Sequence, residues 1–252
     1  MIVADNISIK ITNGSLTYKD SGVPVIHNLN LHISSGQWTA LLGKSGCGKT
    51  SILRYLAGLL NEKATFEGEL DIQGLASLDN NVAYMAQQDL LFPWLNVLDN
   101  VCLYSRFSKN KTTQDDQNKG IELLALVGLK GDEAKMPAQL SGGMRQRVAL
   151  ARTLMQDKPL VLMDEPFSAL DAVTRHRLQD LAATLLADKT VLLITHDPQE
   201  ALRLSQQIYI LQGNPACAIS LTLPESIVPR KFDAKLAELQ EEIITLLEAD
   251  HA

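Results

Sequence analysis

The chain has 252 residues, 46% of them hydrophobic and 21% charged, which suits one packed α/β domain and excludes a disordered chain. With 23 Lys/Arg against 29 Asp/Glu its net charge is −6, and no basic block occurs, which argues against a nucleic-acid partner. No apolar run approaches the roughly 18 to 20 residues that span a bilayer. Met1 to Asn6 lack the start of a secretion signal, and Cys47, Cys102 and Cys217 have no pairing or metal-ligand spacing, so a cytoplasmic location with reduced thiols is expected.

The first forty residues alternate apolar and polar (Ile7, Ile9, Ile11; Leu16, Tyr18; Leu29, Leu31, Ile33) and are broken at Asn13-Gly14, Gly22 and Ser35-Gly36. They predict antiparallel strands joined by turns. Thr39-Ala-Leu-Leu42 predicts a buried strand, residues 51–57 a helix, and residues 68–73 a further short strand of a small antiparallel sheet. From Pro93 to about Lys135 the periodicity becomes helical: Asn96 caps one helix, and Ile121, Leu124, Ala125 and Val127 form the stripe of another that ends at Gly128. The polar stretch 105–118 between them reads as a solvated loop. A helix over 142–156, a strand over 160–163, a helix near 173–187 and a strand over 190–195 follow, the alternation of a mostly parallel sheet. Leu236, Leu239, Ile243 and Leu246 predict a last helix over 233–249 that packs the C-terminus.

Between the strand at 39–42 and the helix at 51–57 stands Gly43-Lys44-Ser45-Gly46-Cys47-Gly48-Lys49-Thr50, followed by Ser51. This is GxxxxGK[ST] in the strand-to-helix context that the motif requires. Inward-facing N–H groups at a helix start bind a polyphosphate, and side chains at Gly43, Gly46 and Gly48 are expected to obstruct that approach. Lys49 supplies charge to the β and γ phosphates and the Thr50 hydroxyl is placed for Mg²⁺. Far downstream, Leu160-Val-Leu-Met-Asp164-Glu165 is an apolar strand ending in two acids, where a parallel sheet presents side chains to a ligand.

The run Leu140-Ser-Gly-Gly-Met-Arg-Gln-Arg147 resembles the signature motif of ATP-binding cassette (ABC) proteins. A serine N-cap with flexible glycines would read the same way locally. The family resemblance extends from about residue 7 to 211. It implies a phosphate-loop NTPase of ABC type: a mostly parallel core sheet, an antiparallel β subdomain and an inserted helical subdomain. The expected divisions are a nucleotide-binding core with the β subdomain at about 1–86 and 157–215, a helical subdomain at about 88–156 carrying the signature, and a short helical extension at about 216–252.

The resemblance also assigns roles. Tyr18 matches the aromatic that stacks on adenine, Gln87 the glutamine loop, Ser168-Ala-Leu-Asp171 the loop after the acid pair, and His196 the switch histidine. Lys49, Gln87, Glu165 and His196 are then the catalytic set, with Glu165 as general base. Thr50, Gln87 and Asp164 are the expected Mg²⁺ ligands. The residues from Gly43 to Ser51, Tyr18, Ser141, Gly142, Gly143 and Asp171 are the expected ATP contacts. The choice of Gln87 over its neighbour Gln88 rests on its six-residue spacing to Pro93. Ala86 stands where relatives often carry an aromatic.

Two classes compete: the ATPase subunit of a membrane transporter, or a soluble ABC ATPase acting on DNA or ribosomes. The interval from Thr50 to Ser141 holds no sustained heptads, unlike the long coiled coils of some soluble types. The segment Asp89-Leu-Leu-Phe-Pro-Trp-Leu-Asn-Val-Leu98 is apolar beside a proline, and it is expected to leave Leu91, Phe92 and Trp94 partly exposed for a helix of a membrane subunit. It is similar to the nitrate, taurine and aliphatic sulfonate importer ATPases, and its wording leans toward the group serving thiamine pyrimidine precursors. Implied partners are permease subunits, a periplasmic solute-binding protein and a second copy of the chain, at the cytoplasmic side of the inner membrane.

Overall fold

A computed structural model of the protein describes residues 7–108 and 111–249. Met1 to Asn6, the expected start of the chain without a leader, lie outside the described residues, as do residues 109–110 of the predicted loop and 250–252 of the predicted extension. In chain order the elements are β1 (Ser8–Tyr18), β2 (Pro24–Ile33), β3 (Trp38–Gly43), α1 (Lys49–Leu56), β4 (Ala64–Gln73) and β5 (Val82–Met85). Next come α2 (Val97–Val101), α3 (Leu103–Ser108), α4 (Gln114–Leu126) and α5 (Gly142–Met155). The chain ends with β6 (Leu160–Asp164), α6 (Ala172–Leu185), β7 (Thr190–Ile194), α7 (Pro198–Leu204), β8 (Gln207–Gln212), β9 (Cys217–Leu221) and α8 (Ala234–Ala249).

The chain divides into two compact units, one of residues up to Val82 with Pro159–Asp164 and everything from Leu186, the other of Ala83–Lys158 with Glu165–Leu185. In the first unit β6, β7, β3 and β8 are parallel neighbours in that order, and β9 runs antiparallel to β8. Every residue of β3, β6 and β7 is buried, as expected of strands covered on both faces. Register sets Asp164, Ile194 and Leu41 at one level, so these strands deliver Gly43, Asp164 and His196 to the same carboxyl edge. The antiparallel sheet of this unit is β2-β1-β4.

Several expectations are corrected. Asn13-Gly14 does not end a strand; it is a bulge inside β1, marked by register shifts against both β2 and β4. A Cβ on Gly14 would lie 2.5 Å from Ile11 Cγ2. The strand predicted over 68–73 begins earlier, at Ala64, and β5 and β9 were not foreseen as strands; β9 lies within the extension expected to be helical. The polar stretch 105–118 is not simply a loop, since α3 and α4 both enter it. Thr113 Oγ1 accepts Asp116 N–H while the Asp116 carboxylate accepts from Thr113 N–H, a reciprocal cap that starts α4. Ile121, assigned to the buried stripe of α4, is exposed.

The last helix forms as predicted. Leu236 and Ile243 of α8 are buried with Ala40 and Leu42 of β3, Ala201 and Leu202 of α7, and Ile208 and Ile210 of β8, while Leu239 and Leu246 pack against the cluster.

Candidate functional site

In the first unit the chain leaves β3 and loops into the start of α1. Lys49 is almost wholly buried, and its Nζ donates to Gly43 O and Lys44 O, both at 2.6 Å, so the ammonium is held over the loop by the loop's own carbonyls. Gly48 is the N-cap of α1 at φ +101°, and a Cβ there would lie 2.6 Å from Ile26 Cδ1 and 2.8 Å from Val25 Cγ1. Space and backbone conformation both demand glycine at that position. At Gly46 no protein atom would meet a Cβ within 4 Å, and its φ of +84° is the constraint that the fold itself sets there. Cys47 Sγ is 3.8 Å from Lys49 Nζ. A cavity of about 410 Å³ lined by Val25, Lys44, Ser45, Gly46, Cys47, Gly213 and Asn214 adjoins the loop.

Thr50 Oγ1 donates to Asp164 Oδ2 at 2.8 Å, which joins the start of α1 to the end of β6. Asp164 is buried. Among the described residues no three His, Cys, Asp or Glu side chains form a metal cage. The Thr50 hydroxyl and Asp164 carboxylate are a pair of hard oxygen donors, the partial set that Mg²⁺ uses when phosphate and water oxygens complete its shell. Tyr18, the last residue of β1, hydrogen-bonds through its hydroxyl to Ser51 Oγ at 3.0 Å, so its ring stands beside the first turn of α1. His196 is exposed just past the end of β7.

The second unit carries the other predicted residues. Gln87 Nε2 donates to Glu165 Oε2 at 3.3 Å. Glu165 has φ +50°, a left-handed conformation that costs a non-glycine residue about 1 to 3 kcal/mol and so requires support. Gln146, whose role the sequence did not reveal, supplies it. Its Nε2 donates to Glu165 O at 3.0 Å, and its Oε1 accepts Ala169 N–H at 2.8 Å. Ser168 Oγ also donates to Glu165 O, at 3.1 Å. Gln146 lies in the quoted signature run, but its target is far away in sequence, and the only available hint was an amide on the buried side of α5.

Ser141 caps α5: its Oγ accepts Met144 N–H at 3.2 Å. The N-cap alternative therefore describes the local geometry, and the same hydroxyl keeps its proton for an acceptor outside the helix. Gly142 and Gly143 form the first turn, where N–H groups have no partner within the helix. Asp171 Oδ1 accepts Thr174 N–H at 3.0 Å, and that bond together with the Thr174 hydroxyl holds the Asp171 carboxyl below its ordinary range.

After Gln87 the segment at 89–98 is rigidly held. Buried Asn100 accepts Phe92 N–H at 2.8 Å and donates to Phe92 O, Leu95 O and Asn96 O at 3.2, 3.0 and 3.0 Å. Arg152 donates to Leu90 O and Asp89 O, and Arg145 pairs with Asp89 at 3.0 Å. Leu91 is buried, contrary to expectation. The exposed apolar groups are Leu90 and Trp94, at 57% and 70%, with Phe92 half-buried and stacked on Trp94 at 5.1 Å.

Residues 26–168 match the family model described as ABC transporter. The chain is 44% identical over 242 residues to an uncharacterized ABC transporter ATP-binding protein of Haemophilus influenzae, covering 94% of this chain and 97% of that one. It is 42% identical to aliphatic sulfonates import ATP-binding protein SsuB 1 of Rhodococcus jostii, covering 93% of this chain and 91% of that one. Among solved structures it resembles the dimeric post-hydrolysis state of the ATP-binding cassette MJ0796 bound to ADP and Pi, with TM-score 0.71 and 29% identity over 89% of this chain and all of that one.

Proposed function

The chain belongs to the ABC transporter family and hydrolyses ATP to power solute transport across a membrane, and on that premise we propose that it serves an importer of a small solute of the sulfonate class. The observation that carries its part in an importer is the presented surface of Leu90, Phe92 and Trp94, which has no use in hydrolysis and suits a helix from a permease subunit. No helix among the described residues is long and apolar enough to cross a membrane. In this reading that contact is what brings the chain to the cytoplasmic face of the membrane. The sulfonate reading is supported by relatives named for aliphatic sulfonates import, at 37 to 42% identity. A second reading, import of a pyrimidine precursor of thiamine, is favoured by the wording Met85-Ala-Gln-Gln-Asp-Leu-Leu-Phe-Pro-Trp94. In either case a periplasmic solute-binding protein selects the solute.

Within the cycle two copies meet head to tail, each ATP lying between one copy's phosphate loop and the other's Ser141-Gly142-Gly143. The loop from Gly43 to Ser51 binds the phosphates through its N–H groups and Lys49 neutralises their charge. Mg²⁺, when bound, offsets phosphate charge; Thr50 and Asp164 would hold it, and Gln87 is carried over as a further ligand by the family resemblance alone. Tyr18 stacks on adenine. Glu165 takes the proton of the attacking water, held in place by Gln87 and Gln146. His196 contacts the γ-phosphate, and Asp171 links the two sites. ATP binding closes the pair, hydrolysis reopens it, and the permease follows as an element with two states.

Changing both Phe92 and Trp94 to serine should release the chain from membranes containing its permease while ATP binding stays near wild type. Persistent membrane fractionation with unimpaired uptake would remove the docking assignment. Uptake of a labelled alkanesulfonate against a labelled pyrimidine precursor, in cells carrying the whole transporter, decides between the two solutes.

A further inference from the structure

His196 stands between two residues that are bound into α7. Thr195 Oγ1 donates to Glu200 Oε2 and accepts Asp197 N–H, both at 3.0 Å, and Asp197 Oδ1 accepts Gln199 N–H at 2.9 Å as the cap of α7. Thr195 and Glu200 are buried. The place of His196 therefore follows the place of α7.

That helix is gripped by residues 224–243 at both ends and along one face. At its C-terminal end, where carbonyls lack intrahelical partners, buried Arg230 donates from Nη1 to Leu202 O at 2.8 Å and to Ser205 O at 2.5 Å. Its Nε donates to Ser226 Oγ at 2.7 Å, its Nη2 to Pro224 O at 3.3 Å, and its backbone N–H to Arg203 O at 2.8 Å. Along the face, Leu236 and Ile243 of α8 pack with Ala201 and Leu202. At the N-terminal end Gln199 Nε2 donates to Gln240 Oε1 at 3.2 Å. None of these residues belongs to a nucleotide motif, and a surface tail would not need a buried guanidinium with every nitrogen donating.

We propose that Arg230 is a positioning residue for ATP hydrolysis: residues 224–249 brace α7, and through it Arg230 sets where His196 stands. The proposal rests on the reading of His196 as a contact of the γ-phosphate. Lysine cannot reproduce the guanidinium fork, so even the charge-conserving change should loosen the brace.

The test compares wild type, Arg230→Lys, Arg230→Met, His196→Ala and the two double variants as full-length chains, reading kcat and KM for Mg-ATP. Arg230→Lys should lower kcat about 3- to 10-fold and Arg230→Met about 10- to 30-fold, with KM within about 2-fold of wild type. Neither change should lower kcat further once His196 is alanine, because both act through one group. A wild-type kcat in folded Arg230 variants, or a full additional loss in the His196→Ala background, would overturn the brace. A wild-type kcat for His196→Ala would instead sink the reading of His196 and the brace with it. Should Arg230→Met fail to fold, amide exchange in Arg230→Lys decides: faster exchange at residues 195–201 than at 43–50, relative to wild type, supports the brace, and equal change in both overturns it.

Discussion

The phosphate loop of the first unit and the signature turn of the second are both glycine-rich helix starts, yet they are finished to different degrees. In the first, Lys49 already has two carbonyl partners and Gly48 is fixed by both φ and contact with β2. In the second, Ser141 caps its own helix through Met144 N–H, while Gly142 in the same first turn is exposed at the surface. A site complete within its own fold is one that binds; a site left open at its edge is one that waits for another surface. The difference implies that changes in the phosphate loop act on nucleotide affinity, and changes at the signature helix and at the Glu165 it holds act on turnover.

The largest expected effect tests the second half of that statement. Glu165→Gln keeps the shape of a side chain held by Gln87 but removes the proton acceptor, so kcat should fall about 10² to 10⁴-fold with ATP affinity retained. Light scattering with Mg-ATP should then show a doubled mass. Hydrolysis at the wild-type rate would take Glu165 out of the role and break the comparison.

The reverse case is Gly48→Ala. A left-handed non-glycine residue costs about 1 to 3 kcal/mol, and the new Cβ would press on Ile26 and Val25, so either the loop shifts or β2 does. Nucleotide affinity should drop about 5- to 150-fold, since each 1.4 kcal/mol is a factor of ten. Equilibrium binding measures it. Unaltered affinity with lowered kcat would show that the phosphate loop is not the purely binding half.

Gln146→Leu is a smaller and sharper probe of the second unit. It strands the Ala169 N–H and withdraws a donor from Glu165 O, a loss of about 1 to 3 kcal/mol if the groups stay buried. That energy should appear as a kcat lowered about 10-fold and a lower melting temperature, with ATP affinity unchanged. Gln146→Glu keeps the acceptor for Ala169 but not the donor, and should recover part of the stability without the rate.

What was legible in the sequence follows the same division. The phosphate loop is local, a contiguous run whose geometry is set by glycine spacing between an apolar strand and a helix, and Asp164-Glu165 stands out because the rest of β6, Leu160 to Met163, is apolar. The reach of Gln146 was not legible, because its bonds join α5 to a turn some twenty residues on. Nor were α3 and the start of α4. In α3 the buried residue is Ser105, and in α4 the buried set is Asp116, Gly120, Leu123 and Leu124, so hydrophobic periodicity had little to register. The exposure of Leu91 was misjudged for a related reason: the course of the segment at 89–95 is dictated by Asn100, a polar residue buried by its own hydrogen bonds.

The smallest expected effect concerns Tyr18 and separates its ring from its hydroxyl. Stacking on a base is worth roughly 1 to 3 kcal/mol and does not read the base edge, so Tyr18→Ala should weaken ATP and GTP about equally. The hydroxyl does something else: its bond to Ser51 Oγ fixes the ring against α1 and is worth about 0.5 to 1.5 kcal/mol at most. Tyr18→Phe should therefore cost about 2- to 10-fold in affinity for both nucleotides and leave kcat unchanged. Titration of each variant with both nucleotides gives the answer. If Tyr18→Phe loses as much as Tyr18→Ala, the hydroxyl and not the ring carries the contribution, and the first unit binds its nucleotide without a stacking platform.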